Sequence, residues 1–411
     1  MKTKNIAAGQ NATAHKPLRE KITFKFCAGL LGILASLICG EAVLRTIFPE
    51  VGEYRIWPPG YREEFLADDI NTPGVKGIGK FTINSLGLRS RELRPEDQFK
   101  ILCLGGSTTI DLYLDDAETW TARLENKLNC SGKFPHTWVG NCGKSSMASL
   151  HNLLHIEHAF PFLPKPDLLV ILIGVNDLQL YVLKSSYMQN MSPELHLSWA
   201  FSWIPHRQRR VHATGDTAPF YEGWALYALG EKGWKRWESR HIMQTPRGAG
   251  GLKMLRDARQ GQVTFVETID QTVVEKGKKQ FCENLTNLVH AARRGGFPVV
   301  FCTQPTLWSE KPSPREASLY LAGGVGPHTE WIEKKMYYSP KLLNRLMEQY
   351  NDVTRRVCRE HNLLCVDLAR LLPKNAEYFY DDMHFSEAGA REVAEIIGDH
   401  LIARYGKGKS P

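Results

Sequence analysis

The stretch "KILCLGGSTTIDLYLDD", Lys100 to Asp116, governs how the rest of the chain is read. An apolar run stops at Gly105 and Gly106, and Ser107 follows at once. Gly and Ser are ordinary turn formers, so a plain turn satisfies the pattern. A hydroxyl presented at the carboxyl edge of a sheet, where open α/β folds place their sites, satisfies it equally. The choice depends on what the other strand ends carry.

Outward from Lys100, apolar runs alternate with helical patterns. Strands are predicted at Lys100–Leu104, Thr137–Asn141, Asp167–Gly174, Pro298–Thr303 and Leu363–Leu368. Between and after them, helices are predicted at Thr119–Leu128, Ala148–Ala159, Glu275–Arg294, Pro340–Glu360 and Ser386–Tyr405. The run "DLLVILIG" is apolar throughout, as a strand covered on both faces should be. Alternation of this kind predicts an α/β fold with a central parallel sheet. Residues 184–265 break the rhythm and read as an insertion. It holds Trp199, Trp203, Trp224, Trp234 and Trp237, half of the chain's ten tryptophans, and the basic run "HRQRR" at 206–210. Trp beside Arg suits a small satellite core, stacking on sugar rings, or a membrane interface.

The chain has 411 residues, 43% of them hydrophobic and 23% charged, values of a globular protein. Its formal net charge of +8 is concentrated ahead of the body. Lys2, Lys4, Lys16, Arg19, Lys21 and Lys25 face Glu20 alone. The basic balance therefore does not argue for nucleic-acid binding by the folded body, and no nucleic-acid motif occurs. Nine cysteines form no C-x-x-C pair, so no zinc site is expected. Cys130 and Cys142 flank a short loop and are a candidate disulfide.

Residues 22–44 admit only Lys25 and Glu41 as charges. As a helix they reach ~34 Å, against a hydrocarbon core of about 30 Å. The reading is a basic cytoplasmic tail at 1–21, an uncleaved transmembrane anchor at 22–44, and a linker and lead-in at 45–98. A single α/β domain at 99–405 follows, outside the cytoplasm by the positive-inside rule. A cleaved signal peptide is the alternative.

Three strand ends carry polar turns: "GGSTT" (105–109), "NCGKSS" (141–146) and "GVND" (174–177). Far downstream, "YDDMHFSEAGAREVAEII" supplies Asp381 and His384 just before the last helix, with Ser386 as its expected N-cap. Acyl transfer from an ester needs these types of group. A serine hydroxyl is a weak nucleophile until a base takes its proton. His384 can do so, with Asp381 orienting its other ring nitrogen and Asp382 as the alternative carboxylate. An oxyanion needs donors. The Ser107 N–H, a backbone N–H in the 141–146 turn and the Asn176 amide are the candidates. Asp177 is expected to support its loop.

In order, these four stretches resemble the SGNH (GDSL-like) hydrolase family, membrane-anchored bacterial type, over about residues 81–183 and 276–405. The resemblance implies a flavodoxin-like three-layer sandwich and a serine esterase. Ser107 would be the nucleophile, His384 the base, Asp381 the orienting acid and Asn176 an oxyanion donor. The family's aspartate before the serine is Gly106 here, the glycine four residues after it is Asp111, and its second-block glycine aligns with Ser146 rather than Gly143. Gly143, Thr303, Gln304 and His328 are candidate substrate-binding residues. No metal or cofactor is expected. The expected partner is an acylated glycan or lipid. A glycan acyltransferase using the same triad and a non-catalytic glycan-binding protein are the rival functions.

Overall fold

The structure is a computed structural model. It describes residues 18–47, 53–134, 136–183, 191–204, 224–227, 229–230, 233, 246–326 and 332–406. Helix α1, Leu18–Ile47, contains a window from Lys25 to Ile47 that none of the body buries. Its length and composition suffice to cross a membrane and equally suit a signal sequence. The stretch read as linker and lead-in is itself structured from residue 53. Strand β1, Arg62–Leu66, alternates exposed and buried side chains, and pairs antiparallel with β2, Ile78–Thr82. Tyr54, Ile56, Phe65 and Phe81 are buried there. Their period-2 spacing is short and interrupted by prolines, which hides it in the sequence.

The body then runs β3 (Phe99–Gly105), α2 (Ser107–Ile110), α3 (Trp120–Cys130), β4 (Thr137–Asn141), α4 (Ser149–Leu154) and β5 (Leu168–Leu172). The helix expected over Ala148–Ala159 is α only to Leu154 and continues as a π-turn at His155–Ala159. Next come α5 (Val175–Leu178), α6 (Pro193–Ala200), β6 (Arg247–Gly248), α7 (Gly250–Arg259) and β7 (Thr264–Val266). The chain continues through α8 (Gln271–Gly295), β8 (Val299–Cys302), α9 (Pro314–Leu319), β9 (Met336–Tyr338) and α10 (Pro340–Glu360). It ends with β10 (Leu364–Val366), α11 (Leu368–Leu371) and α12 (Glu387–Tyr405).

The central sheet is parallel, in the order β10-β8-β5-β3-β4. Every residue of β5 is fully buried, which explains its unbroken apolar sequence. Helix α3 packs on α12, while α8 packs on both α4 and α10, so the sheet lies between two helical layers. This is the expected three-layer α/β sandwich. Two small sheets flank it, β2-β1-β6 and the parallel pair β7-β9. Strands β6 and β7 and helices α6 and α7 all arise from the insertion, whose Trp234, Trp237 and basic run lie outside the described residues. Cys130 and Cys142 are free thiols, Cys130 exposed and Cys142 buried in the core, so the candidate disulfide between them is not formed.

Candidate active site

Strand order reverses between β3 and β5, the place where open α/β sheets hold their ligands. Gly105 pairs with Leu172 in register, so the chain leaves both strands at one level. Ser107 then opens α2, and Asn176 lies on α5 two residues beyond Gly174. Gly174 has φ 138°, a conformation open to glycine and little else, and it lets the chain turn from strand into helix without a gap.

The fourth element is a small hairpin. Phe379 bridges Phe385, and the Tyr380 N–H donates to the His384 carbonyl at 3.0 Å. Ser386 caps α12 as expected, its hydroxyl accepting from the Gly389 N–H. This fixes the backbone on either side of His384. Its Nε2 stands 2.7 Å from Ser107 Oγ, and its Nδ1 stands 2.7 Å from Asp381 Oδ2. The other Asp381 oxygen accepts from the Met383 and His384 N–H groups at 3.0 and 2.9 Å. Tyr380 stacks on the imidazole with ring planes 10° apart. Burial works to raise the Asp381 pKa, but the His384 charge and these hydrogen bonds outweigh it and hold the carboxyl below its ordinary range. For His384, burial works to lower the pKa. The Asp381 charge and hydrogen bond outweigh it, with Asp111 and Asp382 adding to them, and the imidazole is held above its ordinary value. Such a chain can draw a proton from the hydroxyl onto the ring and hold the resulting charge.

Asp382 is turned elsewhere. It accepts from Trp308 Nε1 at 2.7 Å and from the Leu321 and Ala322 N–H groups, so it anchors a loop. Asp177 likewise accepts from the Ser149 N–H and hydroxyl at the start of α4. Asn176 Nδ2 donates one hydrogen to the Met147 carbonyl at 3.0 Å and retains a second. The Ser107 N–H falls in the first turn of α2, which has no intrahelical acceptor for it. Ser146 has φ 64° and lines the same cleft.

The other sequence-derived candidates lie apart from this cleft. Gly143 donates its N–H to Asn141 Oδ1, accepts from Trp57 Nε1 at its carbonyl, and is buried. Thr303 and Gln304 are buried as well. The Thr303 hydroxyl joins Asp367 to the Ala369 N–H, and Gln304 meets Thr108, Asn351 and Pro305. They brace the end of β8 and do not line the cleft. His328 lies outside the described residues.

The cleft, about 340 Å³, also contains residues the sequence reading missed. Leu252 and Leu255 reach it from α7 of the insertion, and Tyr113, Leu183, Leu321 and Met383 join them. The helical spacing in "GLKMLRDAR" signals an amphipathic turn, but nothing in it tells which core the apolar face will meet. Arg89, fully buried, donates to the carbonyls of Lys80, Ile110, Asp111 and Leu114 and pairs with Asp116. It ties the lead-in to the turn after α2. Asp111, at φ 52°, ends that helix and accepts from the Trp120 N–H. Burial pushes its carboxyl up to about 7, against the pull of that N–H and Arg89.

A family model described as the GDSL-like Lipase/Acylhydrolase family matches residues 103–392. No curated protein matches the chain. Among solved structures, the chain is similar to an acetyl xylan esterase, AlAXEase, at 11% identity and a TM-score of 0.37, covering 74% of this chain and 100% of that one. It is similar to a lipolytic G-D-S-L family protein from Veillonella parvula at 10% identity and a TM-score of 0.36, over 75% and 100% of the two chains. An acetylxylan esterase from Geobacillus stearothermophilus, in a catalytic mutant form, is similar at 14% identity and a TM-score of 0.38, over 74% and 95%.

Proposed function

Because this chain belongs to the GDSL-like lipase/acylhydrolase family, and is a serine hydrolase of ester bonds, we propose that it removes acyl groups, acetyl among them, from O-acylated glycans of the cell envelope or secreted material. The observation that carries the mechanism is the run of two 2.7 Å contacts from Asp381 through His384 to Ser107, at the wall of an open cleft. His384 takes the Ser107 proton as Oγ attacks the ester carbonyl. Asp381 fixes the ring tautomer and stabilises the imidazolium. The Ser107 N–H, the Ser146 N–H and the free Asn176 amide hydrogen receive the oxyanion. The imidazolium then protonates the departing alcohol, leaving an acyl-Ser107 ester. Water, deprotonated by the same ring, releases the acid.

The basic tail and α1 support a retained anchor with its N-terminus in the cytoplasm and the catalytic body outside, in the periplasm or at the cell surface. The test is fluorophosphonate labelling of the full chain in detergent, with the modified peptide mapped by mass. Label on Ser107 is the expected result. Folded protein without label there rules the mechanism out.

The site also implies a pH profile. His384 must be neutral to act as a base, and its pKa is raised. The acid limb of kcat/KM therefore lies above the ordinary imidazole value of about 6.5. Asp111→Asn keeps an acceptor for the Trp120 N–H and tolerates the left-handed backbone. It removes a charge that raises His384, one only partly present across the limb because the Asp111 carboxyl itself titrates at about 7, so the limb moves to lower pH by a fraction of a unit. A limb that stays in place in the variant would show that Asp111 does not act on the ring.

A further inference from the structure

A second cavity, of about 660 Å³, shares Leu321 with the catalytic cleft. Its wall carries an exposed aromatic ring and five charged side chains. Phe265, 46% exposed, lies on its wall among Arg256, Arg259, Lys341, Glu267 and Glu310. Besides the polar groups around Ser107 and His384, the cleft is lined by Leu112, Leu183, Leu252, Leu255 and Met383. Arg256 connects the two. It donates to the Tyr380 carbonyl, next to Asp381, and its Nε is buried with no partner.

An ester has an acyl half and an alcohol half, and here two cavities meet at one leucine. The geometry points to an oligosaccharide subsite in the larger cavity, which holds sugar units of the alcohol half while the acyl group occupies the leucine-lined cleft. A sugar ring offers a C–H face to an aromatic ring and hydroxyls to carboxylate, guanidinium and ammonium groups. An alkyl chain in the same place would strip water from those five charges and give nothing back. The inference rests on the esterase reading above and adds where the glycan binds.

The test uses the full chain in detergent with acetylated xylo-, chito- and uronate-containing saccharides from one to six units. p-Nitrophenyl butyrate, which has no sugar, is the control. KM is expected to fall roughly tenfold from monomer to hexamer in at least one series. Phe265→Ala should erase that fall and leave both constants for p-nitrophenyl butyrate unchanged. Calorimetry of the deacylated hexamer with the Ser107→Ala chain should show binding that Phe265→Ala abolishes. A KM independent of length in all three series, on a chain whose Ser107 takes the fluorophosphonate, overturns the subsite alone. So does an equal rise in KM for the sugar-free ester. An unlabelled Ser107 overturns the subsite together with the esterase reading.

Discussion

His384→Ala is expected to lower kcat/KM for an acyl ester by roughly 10⁴–10⁶-fold, and Ser107→Ala by about as much. Among the described residues the hydroxyl has His384 as the base within reach, at 2.7 Å, and without it the hydroxyl keeps its proton at neutral pH. The two losses should not add, because each removes the same proton-transfer step. Fluorophosphonate labelling of Ser107 should vanish in the His384 variant. Loss of folding does not explain such a result, since the hairpin is held without the imidazole. The Tyr380 N–H bonds the backbone carbonyl of residue 384, Ser386 caps α12, and Asp381 keeps its two backbone donors. Rates measured on p-nitrophenyl butyrate, beside a thermal melt of each variant, decide the matter. Activity within tenfold of the parent would place the base elsewhere.

The parts of this site legible in the sequence are those dictated by one strand end at a time. Gly105-Gly106-Ser107 after an apolar run, "GVND" after another, and Asp381 with His384 before a capped helix all depend on local chain direction, and a parallel sheet brings such ends to one edge. Polarity at a strand end does not say which way a side chain turns. Thr303 and Gln304 read like the other strand-end polar groups. They follow β8, where α10 brings Asn351 over them and Asp367 comes round from the end of β10. The leucines of α7 were missed for the opposite reason. Their spacing was visible, but their destination is a tertiary fact set by contacts such as that of Arg256 with Tyr380. Arg89 was missed because a lone arginine in a lead-in has no local signature; its five partners come from two segments distant in sequence from each other, Lys80 on β2 and residues 110–116 after α2.

Gly106→Asp, which restores the residue that the resembled family carries before its serine, is expected to cut kcat by about 10²–10³-fold. A Cβ at this position would lie 2.2 Å from Asn176 Nδ2 and 3.2 Å from the Met147 carbonyl. No side chain fits without moving the Asn176 amide, the proposed oxyanion donor. The present backbone at Gly106, with φ −96° and ψ −144°, thus depends on the absence of a side chain. The damage should be selective. Ser107 and His384 keep their contact, so the fluorophosphonate label should still attach, and KM should change less than kcat because the amide serves the transition state. Gly106→Ala separates shape from charge: the Cβ alone should produce most of the loss. Asn176→Ala supplies the decisive comparison. If Gly106→Asp works by displacing the amide, adding it to Asn176→Ala should cost little more, whereas independent effects would multiply. A Gly106→Asp enzyme within threefold of the parent kcat would mean that the backbone yields and Asn176 stays, and the close approach of Gly106 to the amide would then have no part in the rate.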